Sequence, residues 1–247
     1  LQKTDPVGNT VSYSYDADGN KTSQTDALGN TTTYNYDAQG NLLSKTDPLG
    51  NKVEYTYNDS GQMLTQTDAK GNTTNYEYDS NGNLIKQTDP QGNVTTYQYD
   101  AQGNKISQTD PKGNISNYDY DSSGNLIRKV MPSGKVITYG YDLNGNQRKK
   151  TVIANTADGE ERLTTEKVYD SQNRVIKTVY PDGSSTRTVY NSIGKKKATI
   201  DKAGNRKEYE YDSQGNLTRV IYPDGTDKSY TYDVEGRKTS VTDREGR

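Results

Sequence analysis

A unit of 21 residues built around Tyr-x-Tyr-Asp and Gly-Asn recurs through almost the whole chain. Its Tyr-Asp corner appears at Tyr15-Asp16, Tyr36-Asp37, Tyr57-Asn58, Tyr78-Asp79, Tyr99-Asp100, Tyr120-Asp121 and Tyr141-Asp142, then again at Tyr169-Asp170, Tyr190-Asn191, Tyr211-Asp212 and Tyr232-Asp233. A fixed period of this size marks a repeat architecture, in which one unit cannot bury its own face and its neighbours must complete it. Function then belongs to a surface built by repetition rather than to a cleft built once.

Each unit carries two turn signals. One follows the tyrosine pair, as in Asp16-Ala17-Asp18-Gly19-Asn20, and the other follows threonine, as in Asp47-Pro48-Leu49-Gly50-Asn51, Asp89-Pro90-Gln91-Gly92-Asn93 and Asp110-Pro111-Lys112-Gly113-Asn114. Asp at the first place, Pro at the second and Gly at the fourth is a type I turn signature, in which Asp bonds forward to backbone amides and Gly takes the left-handed conformation. Such a turn closes a short β-hairpin. Asn173 replaces the turn glycine in one unit, and Asn tolerates that conformation next best. The glycines recur in alternate steps of eleven and ten, leaving about six or seven residues per strand. The fold class predicted is all-β, an antiparallel meander of 21-residue units coiling into an open spiral or shell.

In Lys52–Tyr57, Val53, Tyr55 and Tyr57 share one face and Lys52, Glu54 and Thr56 the other. The predicted packing stripe is therefore Tyr13, Tyr15, Tyr34, Tyr36, Tyr55, Tyr57, Tyr76, Tyr78, Tyr97, Tyr99, Tyr118, Tyr120, Tyr139 and Tyr141, and the predicted turn residues are Asp16, Gly19, Asp47, Gly50, Asp89, Gly92, Asp110 and Gly113. In the other strand of each unit, Leu42, Met63, Leu84 and Leu126 compete with Leu43, Leu64, Ile85, Ile106 and Ile127 for the tyrosine face. Parity constrains the choice. Two three-residue loops would return the pairing after an even number of residues, while the unit is odd, so alternate tyrosine pairs would swap faces. Keeping them together requires two unequal turns, for instance Asp16 opposite Asn20 and Thr25 opposite Asn30, or a bulge. The unequal turns would set Leu42, Met63, Leu84 and Leu126 beside tyrosine.

The array reads as one continuous domain over residues 1–247: regular over 1–148, an extended hairpin at about 151–162 with Asn155–Gly159 as a longer loop, and degenerate repeats over 163–247. It begins and ends inside repeats, which predicts the remaining repeats of a longer parent chain as its partners. Leu, Ile and Val are scarce, which alone would suggest disorder. The net charge of only -2 and the 22 tyrosines at fixed places argue for order instead, because tyrosine packs a sheet face while its hydroxyl stays wet or bonded.

The chain has no Cys, His, Trp or Phe. That removes disulfides, the usual zinc sites and most nucleophile–base pairs, so the sequence assigns no catalytic residue, metal ligand or cofactor. Charge balance argues against nucleic acid, and Lys195-Lys196-Lys197 reads as a solvated strand end. The absence of an apolar run of about 20 residues argues against membrane insertion. Asp16-Ala17-Asp18-Gly19-Asn20 resembles part of a calcium loop but lacks its bidentate Glu, so turn capping accounts for it better.

The pattern Gly71, Tyr76, Tyr78, Asp79, Gly82, Asn83 and Leu84 resembles the unit of the YD-repeat, or RHS-repeat, family, and the resemblance covers essentially the entire sequence. Family members occur in bacterial toxin complexes, polymorphic toxins, wall-associated proteins and teneurins. The resemblance implies a β-sheet spiralling into a hollow shell, with a C-terminal effector enclosed in the toxin members. Their Asp-Pro-x-Gly autoproteolytic motif is matched superficially by Asp47-Pro48-Leu49-Gly50, which sits in register with ordinary turns. The expectation is a non-enzymatic structural segment of a secreted or cell-surface bacterial protein that encloses or displays an effector. The alternative is an adhesin or filament subunit that self-associates through sheet edges and binds glycans or neighbouring subunits.

Overall fold

The computed structural model describes residues 1–5, 8–157 and 159–247. Among the described residues it contains 23 β-strands and no α-helix. Two compact units are present, Leu1–Asn117 and Tyr118–Arg247.

Each unit is an antiparallel meander. In the first, Thr10–Tyr15 pairs with Lys21–Thr25, which pairs in turn with Thr31–Tyr36, and the pattern continues strand by strand to the pairing of Lys105–Thr109 with Ile115–Asn117. In the second, the recorded pairings run from Leu126–Val130 with Val136–Tyr141 to Asp227–Tyr232 with Lys238–Thr242. The fold class expected from the glycine steps is the one observed. Each hairpin is local in sequence, so each pairing closes only a short loop.

Both kinds of corner have the same geometry. Asp16 N–H donates to the Asn20 carbonyl at 3.0 Å and Gly19 N–H to the Asp16 carbonyl at 3.3 Å, while Asp26 and Asn30, Gly29 and Asp26 repeat the arrangement at 3.0 and 3.0 Å. Gly19 has φ 87° and Gly29 φ 84°, and Asn173 takes φ 60° where its unit lacks glycine. The suggested pairing of Thr25 with Asn30 is therefore incorrect: Thr25 lies opposite Thr31, and Asp26 occupies the corner. Identical capping chemistry at both corners makes identical three-residue loops.

The odd residue is absorbed by a bulge. Tyr13 lies opposite Gln24 and Ser14 opposite Ser23, but Tyr15 lies opposite Lys21, leaving Thr22 without a cross-strand mate. The same slip occurs beside Tyr36, Tyr57, Tyr78, Tyr99 and Tyr141. It keeps the tyrosine pairs of each unit on one face. It also resolves the competition in the second strand: Leu42, Met63 and Leu84 lie opposite Tyr36, Tyr57 and Tyr78, and Leu43, Leu64 and Ile85 are the bulged residues. The register has a further result. Tyr13 is level with Gln24 and then with Thr32, two residues short of Tyr34, so successive repeats step along the strand direction.

Between Gln147–Thr156 and Gly159–Tyr169 the hairpin is longer. The register runs from Lys149↔Glu166 to Thr156↔Gly159, so the strands extend through most of the segment expected as a loop. Only Ala157 and Asp158 intervene, and Asp158 lies outside the described residues. A two-residue connection has opposite parity to a three-residue corner, so seven added residues still return Tyr169 to the face of Tyr139.

Within each unit the strands form a single layer, each touching its neighbours in sequence. The buried residues among those described are Ala198, Val220, Ser44, Thr151 and Gly215. The described chain keeps 16051 Å² of accessible surface, where two compact globules of half its mass would together show about 13,000 Å². Stability must then come from the backbone ladder and from side-chain contacts within each face.

Candidate functional site

The tyrosine-bearing face and the corners beside it hold the residues that the sequence singled out. In most units the second tyrosine reaches back one repeat. Tyr36 donates its hydroxyl to the Lys21 carbonyl at 3.1 Å, Tyr57 to Leu42 at 3.0 Å, Tyr78 to Met63 at 3.0 Å and Tyr99 to Leu84 at 2.9 Å. Tyr141, Tyr169 and Tyr232 do the same to Leu126, Gln147 and Leu217. Each acceptor is the residue next to the bulge, where the ladder is locally disrupted. The hydroxyl therefore satisfies a carbonyl at the bulge while the ring bridges two hairpins. Loss of water around the ring, with Tyr55 and Asp37 adding, raises the Tyr57 hydroxyl above its ordinary pKa. Desolvation does the same for Tyr78, Tyr99 and Tyr141.

The first tyrosine of the pair has a different neighbour. Lys21 Nζ stands 4.6 Å from the centre of the Tyr34 ring, Lys105 Nζ 5.3 Å from Tyr97 and Lys129 Nζ 5.4 Å from Tyr118, within cation–π range. Tyr13, Tyr55, Tyr76 and Tyr139 lie on the same face as their partners by alternation, as does Tyr120 in Ile115–Tyr120. Tyr15 is 45% exposed.

At the corners, Asp16 Oδ1 accepts the backbone N–H of Asp18 at 3.1 Å and of Asn20 at 2.8 Å, and Oδ2 accepts the Asn20 side-chain amide at 3.1 Å. Asp47, Asp89 and Asp110 accept the same three bonds, one from the backbone N–H of Leu49, Gln91 and Lys112 respectively and two from Asn51, Asn93 and Asn114. The asparagine amide is the main cause that holds the Asp16, Asp47, Asp89 and Asp110 carboxyls below the usual aspartate pKa. Gly50, Gly92 and Gly113 all have positive φ. The asparagine after glycine is thus a capping partner that sequence reasoning missed. The signal was its pairing with Asp: where Asn58 replaces the acid, Gln62 replaces the asparagine and accepts from Asn58 at 2.8 Å. Arg174 and Arg237 take the place opposite Asp170 and Asp233.

The two rims differ. At tyrosine corners the asparagine leans on the next corner, so a Cβ on Gly40 would meet Asn20 Oδ1 at 3.6 Å and one on Gly82 would meet Gln62 Nε2 at 3.1 Å. At threonine corners such as Gly29, Gly50 and Gly71 the same atom meets nothing within 4 Å. In the second unit some threonine-rim corners are joined instead by cations. Lys202 stands 3.7 Å from the Tyr180 ring centre and 3.5 Å from Asp182, and Arg244 stands 4.3 Å from Tyr222 and pairs with Asp224.

Shallow open hollows recur between successive tyrosine corners, one lined by Asp37, Asn41, Tyr57 and Asn58 and another by Asp212, Tyr230, Tyr232 and Asp233. Their repetition gives no one carboxylate pair a distinct environment. Among the described residues there is no cluster of three or more metal-ligating side chains. What the arrangement does chemically is to hold corners and repeats in register.

The RHS Repeat family model matches residues 1–31, 15–52, 36–73, 78–115, 120–161, 190–227 and 211–247. The chain belongs to the RHS-repeat family. No curated protein matches it. Among solved structures, one titled as the TcdB2-TccC3-TEV crystal structure is similar over 95% of this chain with a TM-score of 0.74 at 17% identity. A second, of TcdB2-TccC3, aligns over 95% of this chain with a TM-score of 0.48 at 14% identity. The RHS-repeat chain spans 14% and 17% of the length of those chains. The first likeness establishes a shared fold.

Proposed function

We propose that this RHS-repeat chain is a structural, non-enzymatic segment of a longer secreted or cell-surface bacterial protein, and that its sheet forms part of a β-shell enclosing or displaying an effector. The observation that carries this reading is the likeness over 95% of the chain to part of a toxin-complex structure. The single-layer sheet supports it, since a wall needs two solvent-facing sides and no core of its own. So does the stagger of two residues per repeat. That step is about 7 Å along the strand for about 9.6 Å across it, an inclination of about 35°, close to the strand tilt that closes sheets into barrels. On this reading the array is one continuous domain, the tyrosine pairs are its packing stripe and the Asp and Gly corners set its turns.

A second reading is an adhesin or filament subunit: wherever the full-length protein leaves a sheet edge open, strand addition by another chain would build a filament or adhesive fibre. Negative-stain electron microscopy of the natural full-length protein decides between them. Closed hollow particles are expected, and continuous fibres would overturn the shell.

A further inference from the structure

The register separates the charges by face. In the first unit the tyrosine face carries Lys3, Lys21, Lys45 and Lys105 and, among the described strand residues, no carboxylate. In the second it carries Lys129, Lys150, Lys167, Lys196, Lys207, Lys228 and Lys238 against one carboxylate, Glu161. The opposite face mixes signs and pairs them: Lys52 with Glu54 at 2.5 Å, Lys86 with Glu77 at 2.8 Å and Arg128 with Asp119 at 3.0 Å. A chain of net charge -2 thus presents a basic, aromatic stripe between two rims of aspartate corners.

We propose that this tyrosine/lysine face is a docking surface for an extended acidic polypeptide segment. Charge complementarity selects an anionic partner, and three features select a polypeptide over a nucleic acid. Base stacking needs open ring faces, whereas Lys21, Lys105 and Lys238 stand over Tyr34, Tyr97 and Tyr230 at 4.6, 5.3 and 4.5 Å. The aspartates at both rims repel a continuous phosphate backbone, while a peptide can cross them with its neutral residues. Gln24, Gln66, Gln87 and Gln108 sit opposite Tyr13, Tyr55, Tyr76 and Tyr97, and each offers donors and an acceptor that match peptide groups. Successive repeats are about 10 Å apart across the strands, the length of about three extended residues. The tyrosine face of Met63–Thr67 and Leu84–Thr88 carries glutamine and no lysine, so an acidic residue at every third position meets a lysine in the repeats that carry one.

The test uses the whole chain and a fluorescein-labelled peptide of repeated Glu-Gly-Ser, followed by fluorescence anisotropy at low and physiological salt. Lys-Gly-Ser and oligo(dT) probes of equal length serve as comparisons. The acidic peptide is expected to bind, and more weakly as salt screens the charges. A variant combining Lys150→Gln, Lys207→Gln and Lys238→Gln loses about tenfold in affinity. A variant carrying Lys149→Gln, Lys177→Gln and Arg206→Gln makes the same charge change on the opposite face of the same unit and stays within about twofold of the unaltered chain. Restoring charge as Lys150→Arg, Lys207→Arg and Lys238→Arg recovers binding, which separates a docking role from a folding defect. No binding of the acidic peptide, equal losses in the two Gln variants, or tighter binding of oligo(dT) would each overturn the proposal. The result is independent of whether the array closes into a shell, which microscopy reports separately.

Discussion

Replacing Tyr57 by phenylalanine removes one oxygen and keeps the ring that bridges two repeats. The lost bond is the 3.0 Å contact to the Leu42 carbonyl beside the bulge. A neutral hydrogen bond of this kind contributes about 1 kcal/mol net. The ring is only partly shielded, and water reaches the freed carbonyl, so the loss should not exceed about 1.5 kcal/mol, near the top of the usual range. Tyr55→Phe is the matched control: Tyr55 shares the strand and face, but no hydroxyl bond is recorded for it. Its effect should stay within about 0.5 kcal/mol. Tyr57→Phe, Tyr78→Phe and Tyr99→Phe combined should cost about 3 kcal/mol if the repeats contribute independently. Repeat arrays open locally, so hydrogen exchange of the Leu42–Thr46 and Met63–Thr67 segments is a sharper readout than a global melt. Those amides should exchange faster in Tyr57→Phe and Tyr78→Phe respectively, and slowly in Tyr55→Phe. Equal acceleration by Tyr55→Phe and Tyr57→Phe would refute the role assigned to the second hydroxyl.

Other outcomes follow from the corners. Since Asp16, Asp37, Asp79 and Asp100 have folded-state pKa values below the ordinary 3.8, their contribution is present above the unfolded value and disappears as pH falls through the folded ones. The urea midpoint should therefore be level from neutrality to about pH 5 and drop steeply below about pH 4, as followed by circular dichroism. Asp100→Ala should destabilise the chain more than Asp100→Asn, because Asn58 and Asn191 already serve that corner. Chemical unfolding of the two variants checks the order. Gly82→Ala should cost more than Gly71→Ala: both have φ near 85°, but a Cβ at Gly82 meets Gln62 Nε2 at 3.1 Å, an atom already bonded to the Gly82 carbonyl at 3.0 Å. The left-handed backbone alone accounts for about 1–2 kcal/mol in the second variant.

Strand and corner positions were legible in the sequence because glycine, proline and aspartate act within four or five residues of themselves. The odd unit length even announced a parity device. Its form was not legible, because choosing between unequal turns and a bulge at Thr22 or Leu43 depends on pairing across strands. The asparagine that closes most corners was visible as a recurring spacing within the repeat, yet its bond to Asp is a property of the folded loop. The partner of each tyrosine hydroxyl lies 15 residues back in most units, on a strand whose offset comes from the bulge. The segregation of lysine was hidden for the same reason: Lys21 and Lys45 fall on the tyrosine face only once the register is known.

The two-residue link at Thr156↔Gly159 bears on how such a chain can change in length. A single inserted or deleted amino acid inside a strand would turn every later tyrosine outward-for-inward, damage that grows with the number of repeats downstream. Growth is harmless only in certain increments: a whole unit of 21, or an odd insertion accompanied by a compensating change of corner. The long hairpin is an example of the second kind. A gene for such a protein should therefore drift freely in spelling while its length remains quantised.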